Sequence, residues 1–168
     1  MQAARIWGDS FMNLAQPYNF LIINGPNLGY IGTRQPEIYG DKTIQQVPEL
    51  VERLLGKRSE EINLHFYQSN REGSLIDRIE RARIEGVDGI VLNAGAYTHT
   101  SLALADCLAW VEIPAVEVHL SNIMAREENM RRIDLIGQHV IGIIAGFGIM
   151  SYALGVQALY EYLEGLGA

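Results

Sequence analysis

The chain has 168 residues, 48% of them apolar and 20% charged, with a formal net charge of −7. That length suits one ordinary domain with its own buried core, and the composition excludes disordered and fibrous classes. The acidic balance excludes the broad basic surface that nucleic-acid binders carry, which points to a small-molecule site instead.

Residues 1–19 include Arg5 and Asp9 and lack a continuous apolar core, so they read as an N-terminal extension and not an export signal. Trp7, Phe11, Met12 and Leu14 would let that extension dock on the body or on a neighbouring subunit, or fray. Residues 20–168 read as a single domain. A first β-rich run is predicted over 20–23, followed by Asn24-Gly25-Pro26-Asn27-Leu28 and a loop without regular period that ends near Gly40 and carries Arg34 and Tyr39. Apolar residues at helical spacing (Ile44, Val47, Leu50, Val51, Leu54) predict a helix over 43–57. A second strand over 64–67 leads through Ser69-Asn70-Arg71-Glu72-Gly73 to a helix over 74–85, with Ser74 as its cap and Gly86 after its end. The third strand, 89–92, is followed by Asn93 to Ser101 and a helix over 100–111; the fourth, 115–118, by His119-Leu120-Ser121-Asn122 and a short helix over 125–132. A fifth strand over 140–144 and a closing helix over 151–163 complete the chain. The apolar run from 140 to 150 contains three glycines and is far shorter than the roughly 20 residues a membrane crossing needs.

Alternation of strand and helix implies an α/β fold with a parallel sheet covered on both faces, because parallel neighbours need right-handed helical crossovers. Five strands of this kind most often adopt the flavodoxin-like three-layer order 2-1-3-4-5. In such sheets ligands bind beyond the carboxyl ends of the strands, where this sequence concentrates its polar residues. Loop by loop, that composition is equally the chemistry of turns and caps. The long loop after strand one reads as a lid. Tyrosine ionises with a pKa of about 10, so a catalytic phenolate needs a cation beside it; Arg34 could supply one, although a solvated arginine and an edge-packed Tyr39 are the plainer account of the residues alone.

Among the histidines, His65 alternates with Leu64 and Phe66 and reads as structural, while His99 and His119 fall at strand ends. Glu117 lies two residues before His119 and therefore points to the same side of its strand, where a carboxylate can hold one tautomer of the ring and favour its protonated form. No HxxxH, HxH or cysteine spacing accompanies them, so no metal is expected. Cys107 reads as a small buried hydrophobe. Gly146-Phe147-Gly148 resembles part of a dinucleotide fingerprint but follows the last strand, where close packing of the final helix is the better account. Ser101 and Ser121 lack a nucleophile-elbow pattern.

Five blocks in order carry a family resemblance: NGPNL (24–28), GTRQPEIYG (32–40), FYQSNREGSLIDRI (66–79), GIVLNAGAYTHTSLALADC (89–107), and PAVEVHLSN with AREE (114–122 and 125–128). Together they resemble the type II 3-dehydroquinate dehydratases over about residues 20–160. The resemblance implies a hydro-lyase of the shikimate pathway of aromatic amino-acid biosynthesis. It would work in the cytoplasm, free of cofactor and metal, away from nucleic acid and membranes, and as a homo-oligomer built from trimers into a dodecamer. It implies anti elimination of water from 3-dehydroquinate through an enolate to give 3-dehydroshikimate. Tyr39 would be the base, Arg34 its activator, Asn27 the enolate stabiliser through an ordered water, and His119 the acid held by Glu117. Leu120 and Ser121 would cradle the substrate carboxylate, Asn93 and His99 would bind its hydroxyls, and Asp106 would reach a neighbouring subunit's site. After Glu128 the chain departs from the family pattern. Ungapped counting puts Met130 where a substrate-binding arginine belongs, whereas one inserted residue assigns that place to Arg131, with Arg132 as the alternative. The rival readings are a catalytically silent binding module on the same scaffold and, more remotely, a nucleotide or phosphate enzyme.

Overall fold

The computed structural model describes residues 17–32 and 43–165. Strands β1 (Tyr18–Asn24), β2 (Ile62–Gln68), β3 (Gly89–Asn93), β4 (Ala115–His119) and β5 (Gly142–Ala145) form one sheet in the order β2-β1-β3-β4-β5, and every pairing is parallel. Helices α1 (Val47–Leu55), α2 (Glu72–Glu85), α3 (Leu102–Val111) and α4 (Met150–Leu163) cover it. This is the flavodoxin-like three-layer order that the alternation predicts.

Successive strand residues face opposite sides of a sheet, and the core divides accordingly. Phe20, Ile22, Val91, Val116 and Val118 pack with α1 and α4 on one face; Leu21, Ile23, Ile90, Leu92 and Ala115 pack with α2 and α3 on the other. All five residues of β3 and of β4 are buried, which is why these strands read as nearly unbroken apolar runs. Each fully buried aliphatic side chain contributes about 1.5–3 kcal/mol relative to exposure, and Val156 and Leu159 of α4 lie wholly within this core. Gly155 lets α4 approach that closely, since a Cβ there would lie 2.9 Å from Cγ1 of Val118. Cys107 is a free, buried member of the second core, its thiol pushed up to about 11 by burial.

Several local expectations need correction. Helix α2 begins at Glu72, with Arg71 at the cap position and no side-chain cap; Ser74 lies inside the first turn, where the Glu72 carboxylate suits the positive end of the helix dipole. Gly86 does end it, in the left-handed conformation. The segment 125–132 is not one helix but two 3-10 turns, Ile123–Ala125 and Asn129–Arg132, the first capped by the Asn122 side chain on the Met124 N–H. His65 is solvent-facing on the edge strand β2, not packed. Ser101 caps α3, its hydroxyl accepting from the Leu104 N–H at 2.9 Å.

Candidate active site

Beyond the carboxyl ends of β1, β3 and β4 lies a cleft of ≈ 230 Å³ lined by Asn27, Asn93, His99, His119, Leu120, Ser121, Arg126 and Arg131 among others. The loop after β1 is held against the sheet by backbone. The Gly25 N–H donates to the Asn93 carbonyl at 2.8 Å, and any side chain at Gly25 would collide with the Ala94 carbonyl oxygen, 2.2 Å from its Cβ position. Asn27 takes a left-handed conformation (φ 65), which asparagine tolerates better than most residues. Its N–H donates to Asn70 Oδ1 at 2.9 Å, and Gln68 braces the same turn by donating to Asn70 Oδ1 and to the Gly25 carbonyl. The loop after β2 therefore props the cleft and does not line it.

At the end of β4, His119 Nε2 lies 2.8 Å from Glu117 Oε1, and the Thr98 hydroxyl donates to the same oxygen at 2.9 Å. A carboxylate only accepts, so Nε2 carries the hydrogen and Nδ1 is the ring nitrogen left for other chemistry. Glu117 is fully buried, His119 nearly so, and Glu117 Oε2 has no hydrogen-bond partner among the described residues. Burial pushes the Glu117 carboxyl above its ordinary range. The nearby Asp134 carboxylate adds to that, while the hydrogen bond and charge of His119 and the Thr98 hydroxyl oppose it.

A carboxyl whose folded-state pKa is raised favours the folded protein fully below its ordinary value of 4.5 and loses that contribution as pH rises through the raised value. Replacing Glu117 with glutamine is therefore expected to remove this one carboxyl's share of any stability lost as pH rises above about 4.5, so that the variant's melting temperature gains on the parent's across that window. Melting curves of both proteins across that window check this. Parallel curves would show that the buried carboxylate carries no such cost.

His99 Nδ1 lies 2.5 Å from the Ile133 carbonyl, which fixes its hydrogen there and leaves Nε2 as an acceptor in the neutral ring. Arg131 reaches the cleft while pairing with Glu128 at 2.7 Å. Arg132 is not part of the lining and donates to the Arg126 carbonyl, and Met130 is exposed. Asp106 is exposed on α3 and does not line this cleft. Arg34 and Tyr39 lie outside the described residues. Arg126, which the sequence reading did not single out, donates to the Ser121 hydroxyl at 3.0 Å; its place within the AREE block was the available signal. Gly146-Phe147-Gly148 backs this end of β4, with the N–H groups of Gly146 and Gly148 donating to the His119 and Leu120 carbonyls. In a chain of net charge −7, the described cleft lining holds two arginines and no carboxylate, a local field suited to an anionic ligand.

A parallel α/β sheet of this order, with a buried imidazole–carboxylate pair opening on a cationic cleft at its carboxyl edge, defines a flavodoxin-like enzyme. The chain belongs to the class II dehydroquinase family, which it matches over residues 18–160. It is 47% identical over 146 residues to a 3-dehydroquinate dehydratase of Prochlorococcus marinus, covering 87% of this chain and 97% of that one. It is also 47% identical over 145 residues to a 3-dehydroquinate dehydratase of Caldicellulosiruptor saccharolyticus, covering 85% and 97%. The crystal structure of a type II dehydroquinase from Butyrivibrio crossotus superposes with a TM-score of 0.77 at 39% identity, covering 86% of this chain and 98% of that one.

Proposed function

We infer that this protein is a 3-dehydroquinate dehydratase, a hydro-lyase of the shikimate pathway that removes water from 3-dehydroquinate to form 3-dehydroshikimate. The observation that carries this reading furthest is the Glu117–His119 pair, bonded at 2.8 Å and opening on a cleft with arginines and no carboxylate in its described lining, in a chain of this family.

The proton beside the substrate ketone is weakly acidic, so its removal requires a positioned base and donors for the developing oxyanion. Tyr39 serves as that base in phenolate form, with Arg34 stabilising it, and Asn27 directs an ordered water to the enolate oxygen. The enolate re-forms its carbonyl as the carbon–oxygen bond to the departing hydroxyl breaks. His119 gives that hydroxyl a proton from Nδ1, so water leaves, while Glu117 holds Nε2–H and balances the imidazolium. The Leu120 and Ser121 N–H groups and the Ser121 hydroxyl bind the carboxylate, and Arg126, bonded to that hydroxyl, adds charge. Asn93, His99 and Arg131 bind the rest of the ring. Asp106, exposed on α3, serves a neighbouring copy's site in a dodecamer of trimers. Exposed Ile141 and Ile143 beside and on the edge strand β5 support such assembly. A cytoplasmic setting fits the free buried thiol.

Purified full-length protein, pretreated with a chelator and given 3-dehydroquinate, is expected to generate the ultraviolet absorbance of a conjugated enone. Borohydride added with substrate should leave that activity intact, because no lysine imine forms. Silence at high enzyme concentration would favour a binding module on this scaffold, and irreversible loss with borohydride would contradict the enolate route.

A further inference from the structure

Beneath the cleft floor, the first turn of α4 carries a tyrosine that the reaction above does not use. Tyr152 is completely buried, and its hydroxyl donates to Asn24 Oδ1 at 2.5 Å and accepts from Asn93 Nδ2 at 2.9 Å. Asn24 and Asn93 are register partners at the carboxyl ends of β1 and β3, so one phenol joins the two central strands just where the cleft begins. Burying a hydroxyl without partners costs free energy, and this one has a partner for its hydrogen and another for its lone pair.

The polarity of that chain matters. A phenol has one hydrogen, and Asn24 Oδ1 takes it, so the hydroxyl can only accept from Asn93. The Gly95 N–H donates to Asn93 Oδ1 at 3.2 Å, which agrees with the same orientation of the amide. A carboxamide turned end for end has almost the same shape but exchanges donor and acceptor. Held at both atoms, Asn93 keeps one Nδ2 hydrogen and one Oδ1 lone pair in a defined arrangement at the cleft wall. Burial drives the Tyr152 phenol far above its ordinary range, so the direction of the chain does not change with pH. The neighbouring Ser151 extends the brace: its hydroxyl donates to the His119 carbonyl at 2.9 Å and accepts from the Phe147 N–H at 3.3 Å. One helical turn thus ties down the ends of β1, β3 and β4.

We propose that Tyr152 is a positioning residue for the dehydration, holding the Asn93 carboxamide in the orientation that presents its remaining Nδ2 hydrogen to a substrate hydroxyl. This rests on the reading of Asn93 as a substrate-binding residue.

The test is a double-mutant cycle in the full chain with Tyr152→Phe, Asn93→Ala and the pair. Loss of one buried hydrogen bond that acts equally on bound substrate and transition state is expected to raise KM about tenfold in Tyr152→Phe, with kcat within about threefold. Asn93→Ala should raise KM at least as much, and adding Tyr152→Phe to it should change KM no further, because coupled residues are not additive. An unchanged KM in Asn93→Ala would remove Asn93 from substrate binding and the proposal with it. A normal KM response to Asn93→Ala, with Tyr152→Phe acting undiminished on that background, would overturn the proposal alone. So would a fall in kcat with KM unchanged, the mark of a smaller folded fraction. If Tyr152→Phe does not accumulate as folded protein, Asn24→Leu tests the same chain from its other end. It frees the phenol hydrogen to turn onto Asn93, and the same rise in KM, absent on the Asn93→Ala background, is expected; an unchanged KM overturns the proposal.

Discussion

Replacing His119 with asparagine is expected to lower kcat about 10²–10⁴-fold, the range over which a positioned general acid contributes, with a much smaller change in KM. Hydroxide is a poor leaving group, so the step that breaks the carbon–oxygen bond depends on a proton delivered as the bond lengthens. His119 is nine-tenths or more buried and held by Glu117 at 2.8 Å, so no bulk water replaces it in that geometry. Asparagine is too short to reach the Nε2 position, so the variant is compared with His119→Gln, whose amide nitrogen can take that position and keep a donor for Glu117 Oε1. Steady-state kinetics measure the loss. A substrate analogue whose leaving group departs without a proton should recover most of the rate in the variant, whereas equal losses with both substrates would move His119 from acid to simple binding. A kcat within threefold of the parent would remove it from the chemistry.

The second large effect is expected at Tyr39. Tyr39→Phe keeps the aromatic ring and deletes the hydroxyl proposed as the base, so turnover should fall by about 10²–10⁴-fold or more while substrate analogues still bind. Calorimetric titration with the product, together with single-turnover measurement of enone formation, separates the two quantities. Near-normal turnover would assign the base to another group. Loss of binding and turnover together would make the tyrosine a substrate contact. Because Tyr39 and Arg34 lie outside the described residues, this expectation stands on the GTRQPEIYG block and on the need for a strong base.

How much of this was legible beforehand depended on how locally each feature is encoded. Strands β3 and β4 declare themselves through apolar residues buried on both faces, and Glu117 stands out because a carboxylate interrupts one of them. Period-two alternation then places it beside His119, as observed. Ser74 misled because a good capping residue need not be the cap: the helix had already started at Glu72. His65 misled because alternation with Leu64 and Phe66 says which way a side chain points but not whether anything covers it, and β2 is an edge strand. The segment 125–132 had helix-forming composition but is divided into separate 3-10 turns, with side chains and carbonyls engaged by neighbours instead of a continuous helical ladder.

The sequence by itself determined the alternation of strands and helices, the edge of the sheet at which polar residues gather, and the motifs that name the family, because each is written in residues close together along the chain. Tertiary structure alone decided that Arg126 meets the Ser121 hydroxyl and that Tyr152 joins Asn24 to Asn93, while Arg131, which one inserted residue already favoured over Arg132, is the one of the two in the cleft lining. Asn24 and Tyr152 are separated by 128 positions, and no local period encodes their meeting. It follows from the strand order and from the close seat of α4 on the sheet at Gly155, which bring a buried phenol within reach of two amides that would otherwise lack its hydrogen bonds.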